Sequence, residues 1–169
     1  MGESPIRLMV FFDFLCPFCD RANTWLNQVS EQLGERLILE WRFFALEQLN
    51  APVNSDWKIW EQSDDYTTHV MGGRTEFRGL LALWGTVAAQ QQGDAASGRF
   101  RNALFRARHD EQLDMSQRDA IQQIAEQVGL DMARFTHDFR DRSLLEVLRR
   151  DYEEGRARLS GFGGTDAVS

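Results

Sequence analysis

The sequence predicts an α/β fold in which one βαβ unit carries a dithiol motif and a long all-helical region follows it. Three observations lead there. The only two cysteines stand together as Cys16-Pro17-Phe18-Cys19. The apolar run Leu8-Met9-Val10-Phe11-Phe12 comes just before them and a helical pattern just after. From Trp57 to about Arg158 the hydrophobic spacing then stays helical, with no strand pattern between.

Residues 6–13 read as a buried strand, because the apolar run is continuous rather than alternating. Residues 17–33 read as a helix, with Ala22, Trp25, Leu26, Val29 and Leu33 at helical spacing. Pro17 suits the first helical position, where its missing N–H costs nothing, and Gly34 suits the residue that ends a helix. Residues 37–44 form a second strand, with Leu37, Leu39, Trp41 and Phe43 on one face. A strand, helix and strand within roughly 40 residues make a right-handed unit with a parallel pair.

Residues 45–55 read as an irregular loop around Pro52. Helices are expected near 56–70, 74–92, 97–110, 116–128, 132–141 and 143–158. Ser116 with Asp119 resembles a capping box, Gly129 closes that helix, and Asp131 caps the next. Residues 93–98 break two others apart. The domain division is a βαβ half at 1–55, a helical insertion at 56–158, and a return to the core at 159–169.

The chain has 26 acidic against 19 basic residues, a net charge of -7. This argues against nucleic acid or an anionic membrane as partner, since both reward Lys/Arg surfaces. No apolar stretch approaches the ~20 residues that span a bilayer. No basic and apolar leader opens the chain, so the expected compartment is the cytoplasm, where a lone Cys pair is catalytic rather than structural. A zinc site needs two further ligands. There is no third cysteine, and His69, His109 and His137 are far apart. No metal and no cofactor are expected, and each histidine reads as a surface or satisfied core residue.

The spacing explains the chemistry. Cys16 falls at a helix N-terminus, where unpaired N–H groups and the macrodipole stabilise a thiolate. Cys19 lies one turn on, close enough to close a disulfide. Cys16 is thus the attacking thiolate and Cys19 the resolving thiol. Asp13 moves protons or caps the active-site helix, with capping or an exposed turn preferred. Phe14, Leu15 and Phe18 flank the cysteines as an apolar docking surface, though Phe14 equally suits the core. Trp25 reads as core. Trp57, Trp60 and Trp84 roof the site or pack helices, with packing preferred.

The run Asp13-Phe14-Leu15-Cys16-Pro17-Phe18-Cys19-Asp20-Arg21, the run Trp41-Arg42-Phe43-Phe44-Ala45-Leu46-Glu47-Gln48-Leu49-Asn50 and the helical insertion together resemble the DsbA-like branch of the thioredoxin superfamily, especially its soluble bacterial members. The resemblance implies a thioredoxin-like core interrupted by helices. It also implies dithiol–disulfide exchange with protein or small-molecule substrates, with glutathione as a candidate partner. Several relatives place an acid six residues before the nucleophile; here that position is Val10. The family continues with a Gly-rich loop bearing a Thr–cis-Pro pair, two antiparallel strands and a helix. Gly161-Phe162-Gly163-Gly164-Thr165 looks like the start of that loop, which makes Thr165 a substrate-contact candidate. Asp166 follows it, and the prolines are Pro5, Pro17 and Pro52. Cis bonds are nearly confined to proline. The expectation is therefore that βαβ is present and the C-terminal ββα part missing, leaving one edge of residues 6–13 without a ladder partner. Two other readings remain: a glutathione-dependent isomerase or transferase like the kappa-class branch, which typically keeps a lone Ser or Cys, and a redox-sensing or partner-binding module without turnover.

Overall fold

β1 (Ile6–Phe12) and β2 (Leu37–Phe43) pair in parallel, from Ile6 opposite Leu37 to Phe12 opposite Phe43. α1 (Pro17–Leu33) is the crossover between them, opened by Pro17 and closed by Gly34. Gly34 takes φ +54, and its N–H returns to the Ser30 carbonyl. The computed structural model describes residues 4–162 and so contains the expected βαβ unit. Thr165 and the two glycines before it lie outside the described residues.

A four-residue helix follows, α2 (Leu46–Leu49), inside what the sequence suggested was an irregular loop. Five more come after it: α3 (Leu80–Gln90), α4 (Asp94–His109), α5 (Arg118–Gln127), α6 (Met132–Asp138) and α7 (Glu146–Phe162). Among the described residues no strand lies beyond β2, as the helical pattern predicts. The chain bears out a thioredoxin-like α/β core with a helical insertion.

α3 is the centre of the helical layer. Every residue from Leu80 to Ala89 is buried, the signature of a helix that is apolar all round. Gly85 permits this: a Cβ there would lie 2.7 Å from Ile121 Cγ2 and 3.3 Å from the Phe100 ring. α7 is seated on the β unit by a similar device. A Cβ on Gly155 would come within 2.7 Å of the Phe44 ring. One turn earlier, Asp151 accepts the Phe43 N–H at 3.1 Å.

Several local expectations are corrected. Residues 56–70 hold one 3₁₀ turn, Ile59–Glu61, rather than a helix. The Gln48 side chain satisfies the backbone there, donating to the Trp57 carbonyl at 3.2 Å and accepting the Ile59 N–H at 2.9 Å. With those groups paired, helical bonds are not needed. The expected helix at 74–92 begins only at Leu80. Gly93, at φ +102, breaks the chain, but α4 starts at once and Gly98 lies inside it. The Ser116–Asp119 capping box does not form. Ser116 Oγ instead accepts from the Gln117 amide, and Gln117 precedes the helix. Asp131 does cap α6, accepting the Arg134 N–H at 3.1 Å. The helix expected to stop at 158 runs on to Phe162, so residues 159–162 continue α7.

The largest correction concerns β1. It is not buried along its length: Ile6 is 63% and Leu8 40% exposed, and only its end at Phe12 is covered. β2 pairs with one edge, and among the described residues the other has no ladder partner, as expected. Beside β1 lies an apolar cavity of about 320 Å³ between Met9, Phe11, Phe44 and Leu159. None of its lining residues belongs to the cysteine loop.

Candidate active site

The cysteine loop is shaped by the chain leaving β1 and turning into α1. Cys16 is extended, with φ -89 and ψ 114, and is itself the N-cap. Its N–H donates to the Asp13 carbonyl at 3.2 Å. Its own carbonyl accepts the N–H groups of Cys19 (3.1 Å) and Asp20 (3.3 Å). Its sulfur accepts the Cys19 N–H at 3.4 Å. A sulfur in this place meets the positive end of a 17-residue helix.

Both cysteines are free thiols and half-buried. Burial pushes the Cys19 thiol up to about 12. A hydrogen bond from the Asp13 backbone opposes that push, while the nearby Cys16 and the Asp13 charge add to it. Pro17 and Phe18 between the cysteines are exposed, Phe18 by 73%, and the Arg21 guanidinium sits 5.8 Å from the Phe18 ring centre.

Contrary to the expectation of a helix cap or an exposed turn, Asp13 is buried, and Cys16 rather than Asp13 is the N-cap of α1. Its Oδ1 accepts the Leu15 N–H at 2.9 Å, which tightens the cysteine loop. Its Oδ2 accepts the Leu46 N–H at 2.7 Å, the first of α2. Burial holds its carboxyl above the usual range, against the two N–H groups. Phe14 points away from the surface. It is fully buried, with its ring 5.3 Å from Phe12 and 4.8 Å from Phe105. Of the three residues suggested as a docking surface, Leu15 and Phe18 therefore keep surface. Trp25 is 61% exposed, against the expectation that it is core. Trp84 is buried, and Trp57 and Trp60 pack on the core from its edge, which is the packing role.

Two residues near the site escaped the sequence reading. His109, at the end of α4, has Nε2 2.8 Å from the Phe14 carbonyl, so that nitrogen carries a proton and donates it. The helical layer thereby grips the cysteine loop from behind. Glu47 on α2 is fully buried. Its carboxylate accepts from the Tyr66 hydroxyl, the Thr68 hydroxyl and the Gly79 N–H (2.7 Å). The available signal was a single acid in the run from Trp41 to Asn50, between Leu46 and Leu49. Among the described residues no His/Cys/Asp/Glu group is arranged to hold a metal.

The DSBA-like thioredoxin domain family matches residues 7–161. The chain belongs to that family. Its fold is shared by a Nitrosomonas europaea protein assigned as a protein disulfide isomerase. That structure is 15% identical, covers 99% of this chain and 87% of its own, and has a TM-score of 0.65. The cytosolic disulfide reductase DsbM from Pseudomonas aeruginosa, solved with GSH, is 17% identical with a TM-score of 0.58, covering 95% of this chain and 82% of its own. Among curated relatives, the uncharacterized protein YwbO of Bacillus subtilis is 26% identical over 166 residues, 88% of this chain and 81% of that protein. Mycobacterial matches cover only 46 to 77 residues. The Na(+)/H(+) antiporter NhaA 1 of Mycolicibacterium vanbaalenii is one of them, 39% identical over 27% of this chain, and the chain spans only 8% to 22% of those proteins' length. No helix among the described residues is long and apolar enough to cross a membrane.

Proposed function

We propose that the chain is a thiol–disulfide oxidoreductase in which Cys16 attacks and Cys19 resolves. The observation that carries this reading is the asymmetry of the pair. Cys16 sits at the mouth of a helix with its sulfur on a helix N–H, while Cys19 is held protonated by burial. The Cys16 thiolate attacks one sulfur of a substrate disulfide, forms a mixed disulfide and expels the other sulfur as a thiolate. Cys19 then loses its proton and attacks Cys16 Sγ. The Cys16–Cys19 bond forms, the bond to substrate breaks, and the electron pair leaves with the substrate sulfur. The dithiol is oxidised and the substrate disulfide reduced. A small thiol such as glutathione restores the dithiol, and the steps in reverse oxidise a dithiol substrate.

Asp13, whose charge is felt at Cys19, is the group we assign to take its proton. Exposed Phe18 and Leu15, next to the nucleophile, give an unfolded or flexible peptide an apolar contact. A cytosolic setting is supported by the likeness to DsbM, a cytosolic disulfide reductase. The intact Cys pair in this geometry favours exchange over isomerase chemistry.

The decisive experiment is trapping. Cys19→Ser leaves Cys16 able to attack but with no resolving thiol, so stable mixed disulfides with oxidised peptide or glutathione accumulate. Cys16→Ser traps none. Adducts held through Cys19 alone would reverse the roles, and the absence of adducts in both variants would remove the oxidoreductase reading.

A further inference from the structure

Among the described residues Glu47 has no counter-ion within salt-bridge distance. It is fully buried, and the groups on it are two hydroxyls and one N–H, all donors. Three donors satisfy an ionised carboxylate and ask for no proton in return. Such a group is costly to bury unless its charge is used or its proton kept.

Its surroundings connect it to the cysteines. Leu46, the residue before it, gives its N–H to Asp13 Oδ2, so the backbone next to Glu47 is fastened to Asp13. Asp13 Oδ1 holds the Leu15 N–H. Across the cluster, the Cβ position of Gly79 is 3.3 Å from Glu47 Oε2 and 3.4 Å from Leu15 Cδ1, so Gly79 is wedged between the acid and the cysteine loop. The charged and titratable groups facing Glu47 come from three elements. The loop before α3 gives Tyr66, whose hydroxyl meets both carboxylate oxygens, and Arg78, which stacks 5.8 Å over the Tyr66 ring and donates to the Tyr66 carbonyl. The turn after β1 gives Asp13, close enough for its charge to oppose ionisation of Glu47. α3 gives the Gly79 N–H at its N-terminus.

We propose that Glu47 is a positioning residue of the exchange reaction, whose carboxylate, fixed by Tyr66, Thr68 and Gly79, controls through Asp13 when Cys19 can give up its proton. The idea rests on the reading of Asp13 as the base for Cys19. Two carboxyls this close in a dry interior titrate as a pair, so the second ionises only against the charge of the first. Burial pushes Glu47 up to about 7, and Asp13 is raised as well. Glu47 thus changes charge in the range where cells work, with Asp13 raised beside it. With Glu47 ionised, Asp13 ionisation is delayed, and so is its capacity to take the Cys19 proton.

The test uses the reduced full chain and follows the Asp13 carboxyl carbon by NMR as pH is varied. Glu47→Gln keeps size and polarity but removes the charge. It moves the Asp13 midpoint down by about one pH unit. In parallel, the acid limb of the rate of mixed-disulfide resolution moves down by the same amount. Should that variant fold poorly, Thr68→Val removes one donor and leaves the charge. It raises the Glu47 midpoint, and Asp13, less opposed, titrates lower. Unchanged Asp13 midpoints in these variants, with only stability lost, would overturn the proposal and leave Glu47 a structural anchor. The carboxyl titration needs no turnover. A chain that fails to exchange disulfides yet shows the shift refutes the exchange reading and not the coupling.

Discussion

The two ends of β1 are made of the same kind of residue and live in different worlds. Ile6 and Leu8 are largely exposed, whereas Phe12 is buried together with the Asp13 and Phe14 that follow it. What separates them is the coverage brought by distant elements. Phe105 from α4 touches both Phe12 and Phe14, with ring centres at 5.9 and 4.8 Å. His109 holds the Phe14 carbonyl, and Leu46 holds Asp13. At the open end the described contact of this kind is between Arg7 and Glu40 on the neighbouring strand, an exposed pair of small worth. A hydrophobic strand is therefore fixed where the helical layer meets it, and the two cysteines follow directly from that fixed end.

The sharpest way to break this contrast is Phe105→Ala. It removes the ring that joins both aromatic residues at the buried end, and costs about 3–5 kcal/mol by the usual scale for such cavities. Denaturant unfolding measures it. A loss under 1 kcal/mol would mean that the buried end does not depend on α4.

The second prediction concerns pH. The unfolded chain loses the Glu47 proton near 4.5, whereas the folded chain keeps it until about 7. Between those values the folded state holds the extra proton, so the stability from this group is full below 4.5 and falls as pH rises to 7. The decline is at most about 3 kcal/mol. Glu47→Gln flattens it. A stability that rises across this window in the native chain, and stays rising in the variant, would show that the buried acids do not govern the buried end.

The smallest effect is expected at the open end. Leu8→Thr keeps strand propensity and touches little, so its change in stability should stay within about 0.5 kcal/mol. A larger loss, measured by the same unfolding assay, would reveal a covered face.

Much of this was readable from the chain. The cysteine spacing, the Pro17 start and the Gly34 stop locate the βαβ unit, because each is a local rule about backbone and helix ends. The fully apolar α3 also declares itself. What was not readable depends on partners far along the chain. The continuous run from Leu8 to Phe12 carries no mark of which part will be covered. Residues 57–70 have helical spacing, yet Gln48 takes their backbone groups and Glu47 takes Tyr66 and Thr68. The burial of Glu47 arises only once residues 66, 68 and 79 meet around it.

The bond from Phe43 to Asp151 spans 108 residues of sequence, and that from Phe14 to His109 spans 95. A chain made from its N-terminus presents its thiols first and acquires the clamp on the Phe14 carbonyl, and then the seat of α7 on β2, much later. Closing such long segments is slow. During that interval the nascent cysteines are ordinary, unshielded thiols, open to the prevailing redox buffer and to other chains. The loop that carries the dithiol thus receives its His109 clamp only once α4 has been made, and α7 completes the β unit last of all.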